Sequence, residues 1–149
     1  LLKNDFGVVA DIWSVTSWTE LRRDGLECDE QRFLHPELPT RKPFVTQRLE
    51  GRPGPFVAVS DFMRQVQDQI REWVPGDFVS LGADGFGFSD TRGAARRVLH
   101  IDGPSIVVRT LQALAQRGEV PAEWAGQAAD RYHLLDVNHG SSGEVGDDA

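Results

Sequence analysis

The chain has 149 residues, 40% of them hydrophobic and 26% charged, which predicts one compact domain with a substantial core. Its net charge of -7 disfavours nonspecific attraction to nucleic acid or to an anionic membrane. Cys28 is the only cysteine, so an internal disulfide is excluded, and four scattered histidines supply no structural zinc site. Because no apolar run approaches the roughly 20 residues of a membrane span and no signal segment opens the chain, we expect a cytoplasmic protein.

The first elements predicted are a helix end, a strand and a capped helix. Residues 1–7 (LLKNDFG) are typical of a last helical turn closed by glycine. Residues 8–15 (VVADIWSV) are β-branched and aromatic, which predicts a strand. Ser17 and Glu20 fit a capping box, in which the Ser17 hydroxyl accepts from the Glu20 amide and the Glu20 carboxylate reaches back to the Ser17 amide. The following helix should extend to about Gly25 or beyond.

The middle of the chain combines a proline-rich crossing with two strands. Three prolines between residues 35 and 52 exclude helix before residues 44–49, which predict one short turn of helix. Residues 55–60 (PFVAVS) predict a strand covered on both faces of a parallel sheet. A helix capped by Ser60 or Asp61 should follow. Its apolar positions repeat with the helical period: Phe62, Met63, Val66, Ile70, Trp73 and Val74.

A third strand is predicted at residues 78–81, leading into the glycine-rich stretch 82–90 (GADGFGFSD). A helix should start near Thr91, and residues 100–102 (HID) are a candidate final strand. Strands that alternate with helices predict an α/β domain with a mainly parallel sheet.

The last third of the sequence predicts two helices followed by a tail. Pro104 opens the first helix, which Gly118 should stop, and Pro121 opens the second. Residues 140–149 (GSSGEVGDDA) have nothing apolar to pack and are predicted to be disordered.

The glycine-rich stretch is the first place to look for a phosphate site. It lacks the G-x-G-x-x-G spacing, and no Gly-Lys-Ser/Thr follows it, so a P-loop is excluded. We interpret Gly85 and Gly87 as shaping a turn before a helix.

Three aspartates near this stretch, Asp77, Asp84 and Asp90, carry the oxygen ligands that hard cations prefer, but their spacing does not support a metal site. Asp90 directly precedes a helix, so we predict that it caps the helix, with Ser89 sharing that role.

A nucleophilic site is not predicted either. There is no G-x-S-x-G, and Cys28 has no nearby helix N-terminus to lower its pKa. His35, in the Leu34-His35-Pro36 corner, is interpreted as a side chain that locks a turn by hydrogen bonds. The four tryptophans have core periodicity and indicate a core or a large buried interface: Trp13, Trp18, Trp73 and Trp124.

Five segments together resemble one family. In chain order they are residues 11–21 (DIWSVTSWTEL), 34–36 (LHP), 60–63 (SDFM), 73–75 (WVP) and 81–92 (LGADGFGFSDTR). They closely resemble the transketolase-like C-terminal domain of homodimeric pyruvate dehydrogenases, and the resemblance covers nearly the whole chain.

The resemblance implies a three-layer α/β domain over residues 1–139, with a mainly parallel, mixed sheet flanked by helices. It also implies that the first strand and helix of that domain are missing, so we expect an N-terminally truncated chain. The full-length enzyme would be a three-domain homodimer that decarboxylates pyruvate and passes the two-carbon unit to the lipoyl group of dihydrolipoyl acetyltransferase. This third domain would pack against the other domains and the partner subunit.

Thiamine diphosphate and Mg²⁺ would lie between the first two domains of such an enzyme. Thiamine enzymes hold the metal with G-D-G and a later Asn pair, whereas here only Ala83-Asp84-Gly85 looks similar and Asn138 is the only later asparagine. The glutamate that activates the cofactor belongs to the middle domain. We therefore expect no catalytic, cofactor-binding or metal-binding residue in this chain, which alone should be inactive.

On this interpretation the candidate site residues are structural or lie at an interface. They are Ser17, Glu20, His35, Asp84, Gly85, Phe86, Gly87, Ser89, Asp90 and Arg92. Two alternatives stay open: a stand-alone α/β module that binds a small anion at the strand-to-helix turn, and the equivalent domain of a transketolase or another 2-oxo acid dehydrogenase.

Overall fold

The computed structural model describes residues 1–87 and 89–136. Within them the elements follow in this order: α1 (Leu2–Phe6), α2 (Trp18–Leu34), α3 (Phe44–Leu49), β1 (Phe56–Val59), α4 (Arg64–Asp68), a 3₁₀ turn (Arg71–Trp73), β2 (Phe78–Leu81), α5 (Arg92–Val98), α6 (Gly103–Gln116) and α7 (Trp124–Arg131). The predicted tail at 140–149 lies outside the described residues, as does Phe88 in the glycine-rich stretch.

The sheet consists of β1 and β2, which pair in parallel with Phe56 opposite Phe78 and Val59 opposite Leu81. Both strands lie where the apolar runs predicted them. The α/β class is confirmed at this level, two parallel strands packed with helices. The three-layer form and the larger sheet stay predictions.

The strand predicted at residues 8–15 is wrong for the described structure. This segment belongs to neither helix nor strand, and Ile12 is 96% exposed. β-branched residues favour a strand only where a neighbouring strand offers backbone partners and a packing surface. The one sheet found in residues 1–87 and 89–136 pairs β1 with β2 alone.

The strand predicted at residues 100–102 is also wrong. His100 has a φ of 56°, in the left-handed region that a β-strand does not use. Asp102 then caps α6, with its carboxylate accepting from the Ser105 amide at 3.0 Å. The polar residues of this segment therefore terminate one helix and begin the next.

Two apolar clusters hold the elements together. In the first, α6 and α7 bury Val107, Leu111 and Ala128 against α1. Asp5 joins α1 to the residue after α7 by accepting from the Tyr132 hydroxyl at 2.6 Å. The second cluster surrounds the 3₁₀ turn and consists of Val45, Ile70, Trp73 and Val74.

The closest approach in the second cluster joins α2 to Trp73. The indole packs directly on Gly25, where the helix has no side chain to separate them. The indole Nε1 also donates to Asp29 Oδ2 at 2.8 Å. Trp73 is thus a buried core residue with its polar atom paired, as buried tryptophans require.

Candidate functional site

The candidate site lies at the carboxyl ends of the two parallel strands, which meet at one edge of the sheet. The chain leaves β1 through residues 60–64 and leaves β2 through residues 82–87, and we call these two segments the carboxyl-edge surface. They contact each other directly, because the Ala83 amide donates to the Phe62 carbonyl at 2.9 Å. A Cβ on Gly82 would lie 2.5 Å from that same carbonyl oxygen, so glycine is needed there for the close approach.

Asp84 joins the two segments of the carboxyl-edge surface, and its contacts show that one prediction was wrong. Its carboxylate accepts from the Arg64 amide at 2.9 Å and from the Arg64 guanidinium. It therefore caps α4 from the other segment, in the role predicted for Ser60 or Asp61. Ser60 accepts only from the Phe62 amide, at 3.1 Å.

Three large apolar side chains stand on the carboxyl-edge surface. Phe86 is 98% exposed and Phe62 is 64% exposed, with Met63 also exposed beside it. The prediction that Phe62 and Met63 belong to the helix after β1 is wrong, because α4 begins only at Arg64 and both residues precede it. Clustered exposed apolar side chains mark an interaction surface.

Beyond the turn, α5 begins with a different cap from the predicted one. Thr91 is the N-cap and accepts from the Ala94 amide at 3.3 Å, so the prediction that Asp90 caps α5 is wrong. Asp90 accepts from the adjacent Thr91 amide at 2.7 Å instead, and Ser89 and Arg92 are exposed. The side chains of Asp90 and Thr91 thus bond two of the amides at the start of α5.

The backbone conformation requires glycine at only one of the two positions that were predicted to shape the turn. Gly85 has a φ of 108°, which a side chain would strain, whereas Gly87 has no such backbone angle and a Cβ there would meet nothing within 4 Å.

Ser17 and Glu20 lie together at the start of α2, and His35 lies at its other end. The Ser17 hydroxyl accepts from the Glu20 amide at 3.2 Å, as predicted, but the Glu20 carboxylate bonds Arg23 instead of turning back to Ser17. His35 is the C-cap at the opposite end, with Nδ1 at 3.6 Å from the Glu37 carboxylate. A helix of this length separates its ends by about 25 Å, so these residues share no single site.

No group of three or more His, Cys, Asp or Glu side chains in residues 1–87 and 89–136 is placed to hold a metal ion. Cys28 is buried on α2, and burial raises the pKa of its thiol, which keeps it protonated and unreactive. No helix of the described part is both long and apolar enough to cross a membrane.

The Asp84 cap yields a testable pH dependence. The hydrogen bonds from the side chain and the amide of Arg64 hold the pKa of the Asp84 carboxyl below its ordinary value. A lowered pKa stabilises the fold above the unfolded value of about 3.9, and this contribution is lost as the pH falls through the lower folded value. We expect Asp84→Asn to lower the thermal unfolding temperature at pH 7, and the difference from the unsubstituted chain to vanish as the pH falls below about 3.9.

Asp61→Asn is the matched control, since Asp61 is an exposed carboxylate of the same surface and makes no hydrogen bond or ion pair with a described residue. A deficit for Asp84→Asn that persisted unchanged in acid would contradict the carboxylate's role.

The sequence of this chain is similar to those of named proteins. Residues 1–102 match the family described as "Transketolase-like TK C-terminal domain". The chain is 54% identical over 138 residues to the "Pyruvate dehydrogenase E1 component" of Mycolicibacterium smegmatis, covering 93% of this chain and 15% of that protein. The protein of the same name from Mycobacterium tuberculosis is 50% identical over 92% of this chain and 15% of its own length. The Escherichia coli K12 protein is 38% identical over 90% of this chain and likewise 15% of its own length.

The chain thus spans about 15% of the length of these curated relatives. The family match includes α1 to α5 and both strands, and therefore the carboxyl-edge surface. The chain belongs to the transketolase-like C-terminal domain family.

Proposed function

We propose that this chain is the C-terminal, structural and assembly domain of a pyruvate dehydrogenase decarboxylating component. The observation that carries the proposal is the 54% identity over 93% of the chain to a protein named "Pyruvate dehydrogenase E1 component". The whole enzyme would be an oxidoreductase that decarboxylates pyruvate with thiamine diphosphate and Mg²⁺ and acetylates the lipoyl group of dihydrolipoyl acetyltransferase. Its cofactors would be held by domains outside this chain.

The domain would span residues 1–139 as a three-layer domain. Within it the candidate residues would act structurally. Asp84 fixes the turn after β2 by bonding Arg64, and Gly85 supplies the backbone angle that the turn requires. Phe86, which follows Gly85 in this turn, is exposed to solvent. An exposed aromatic side chain on such a turn is suited to contact with another domain, because aromatic side chains are enriched in the buried centres of interfaces.

The carboxyl-edge surface would therefore contact the remaining domains of the same enzyme or its homodimer partner. Its apolar side chains would be covered in the assembled enzyme and exposed without it. A cytoplasmic location follows from this proposal.

The test uses the longer protein that carries this chain. We expect that protein, supplied with thiamine diphosphate and Mg²⁺, to decarboxylate pyruvate and to acetylate a lipoyl domain, whereas the 149-residue chain turns over nothing. Turnover of pyruvate by the chain alone would contradict the assignment, as would a longer protein that acts only on sugar phosphates.

A pair of variants in the longer protein tests whether Phe86 contacts another domain or is simply an exposed side chain. Phe86 and Leu135 are both 98% exposed in this chain. Phe86→Ser is expected to lower turnover and the thermal unfolding temperature of the assembled enzyme, because a covered aromatic contact costs about 2 kcal/mol or more when it is lost. Leu135→Ser should change neither. Equal effects of the two variants would contradict a contact at the carboxyl-edge surface.

A further inference from the structure

The outward face of α2 carries apolar and charged side chains that nothing in the described structure covers. The inward face is buried through Gly25 and Cys28. On the opposite face Leu26 is 42% exposed and Phe33 is 83% exposed, seven residues apart and therefore on one side of the helix. We call the residues of this side the outer face of α2: Thr19, Arg22, Leu26, Glu30 and Phe33.

The charged residues of α2 fall into two groups. Most are paired within the chain: Arg23 with Glu20 and Glu27, Arg32 with Asp29, and Asp24 with Arg41. Arg22 and Glu30 differ, because neither side chain makes an ion pair or a hydrogen bond with any residue in 1–87 or 89–136. They lie four residues before and four residues after Leu26, so they flank the exposed leucine on the same face.

Three pairs of charged residues on α2 also have opposite signs at equal distances from Leu26, whereas Asp24 and Glu27 have no charged counterpart. Going outward from Leu26, the three pairs of positions are Arg23 and Asp29, Arg22 and Glu30, and Glu20 and Arg32. A two-fold axis through Leu26 and perpendicular to the helix reverses the direction of α2. Such an axis therefore brings Arg22 to the level of Glu30 on a second copy, and of the three pairs this is the one that lies on the outer face of α2.

We propose that the outer face of α2 is a self-association surface, on which two copies of this chain pair antiparallel through α2 with Leu26 at the two-fold axis. Arg22 of each copy then faces Glu30 of the other, which gives a partner to both residues that have none in the single chain. Phe33 lies opposite Thr19, where no charge opposes its ring. The inference deepens the homodimer contact of the proposed function, and it depends on no enzymatic activity.

The size of this contact determines how it acts. α2 is about 25 Å long, and one pair of helices buries less than the roughly 1,600 Å² of a stable interface. Pairing through α2 alone is therefore weak, and it contributes to a homodimer that other surfaces also hold. Its charge pattern would set the register and the antiparallel direction, as charges flanking the seam do in paired helices.

The test is disulfide trapping at the axis. Paired helices 8–10 Å apart bring facing Cα atoms to roughly 3.5–5.5 Å, which overlaps the range that a disulfide spans. In the chain oxidised under mild conditions, Leu26→Cys is expected to give a covalent dimer. Leu135→Cys, at a fully exposed position, is the matched control, and the native Cys28 is buried and should not react.

Exchanging the charges at positions 22 and 30 then distinguishes the antiparallel pairing from cross-linking by random collision. Arg22→Glu in the Leu26→Cys background should lower the initial cross-linking rate on the order of tenfold, because it replaces two attractive pairs by two repulsive ones in each dimer. Adding Glu30→Arg should restore the rate. Circular dichroism of each variant checks that α2 remains folded.

Three results would overturn the proposal: equal cross-linking at positions 26 and 135, failure of the charge exchange to restore the rate, or a Leu26→Cys thiol that in the longer protein is protected from alkylation without forming the dimer. The last would show that another part of the same polypeptide covers the face. Cross-linking needs no substrate, so a negative result in this experiment would not bear on the proposed decarboxylation of pyruvate, which has a separate test.

Discussion

Gly25→Ala is expected to lower the free energy of unfolding by about 2 kcal/mol, even though alanine is the better helix former. In the middle of a helix this exchange alone gains about 1 kcal/mol. Here, however, a Cβ would lie 2.4–2.6 Å from three atoms of the Trp73 indole. The ring is buried and held by its bond to Asp29, so it cannot turn away without losing that bond. Overpacking of this kind costs about 1–3 kcal/mol or more and outweighs the gain.

Gly126→Ala is the matched control, since Gly126 is also a helical glycine but a Cβ there would meet nothing within 4 Å. It should stabilise the chain by up to about 1 kcal/mol. Urea unfolding followed by circular dichroism and tryptophan fluorescence measures both variants. Stabilisation by Gly25→Ala would show that Trp73 does not pack on α2 as the structure has it.

The elements that the sequence predicted well are those defined by local signals. The bounds of α3 and β2 follow from the prolines and from short apolar runs between turn residues, and Gly118 ends α6 through its left-handed backbone. The start of α2 was predictable because Ser17 caps its own helix. In each case the residues that determine the structure are neighbours in the chain.

What the sequence could not predict depends on residues far apart in the chain. The cap of α4 comes from Asp84, twenty positions beyond the amide it binds. Residues 8–15 have a strand composition, but composition does not supply the neighbouring strand that they need. At the candidate site, the glycine-rich turn was found from its pattern, whereas its partner Arg64 carried no signal that distinguished it from other exposed arginines.

Arg97 is the other residue that sequence reasoning missed, and it is fully buried. Its Nε lies 2.8 Å from Asp102 Oδ2, without the alignment of a hydrogen bond, and one Nη donates to the Tyr132 carbonyl at 3.2 Å. The guanidinium thus joins the end of α5 to the cap of α6 and to the residue after α7. A buried charge in this position depends on its one carboxylate partner.

Asp102→Asn is therefore expected to destabilise the chain by about 3–5 kcal/mol, because it leaves the Arg97 charge buried without a counter-ion. The substitution isolates the charge, since asparagine caps a helix about as well as aspartate and keeps a bond to the Ser105 amide. Arg97→Met should cost less, because the Asp102 carboxylate that it leaves behind is partly exposed and can be hydrated.

Adding Arg97→Met to Asp102→Asn should recover part of the lost stability, because it removes the uncompensated charge. Lys42→Met is the control for an exposed pair of similar length, 2.7 Å from Lys42 Nζ to Glu50, and should cost less than about 1 kcal/mol. Urea midpoints for the single and double variants measure the coupling. Two results would contradict this account: a loss of stability in Asp102→Asn no larger than that in Lys42→Met, or a double variant less stable than Asp102→Asn. Either would mean that Arg97 is solvated. The packing of α5 against α6 and the end of α7 would then differ from the structure described.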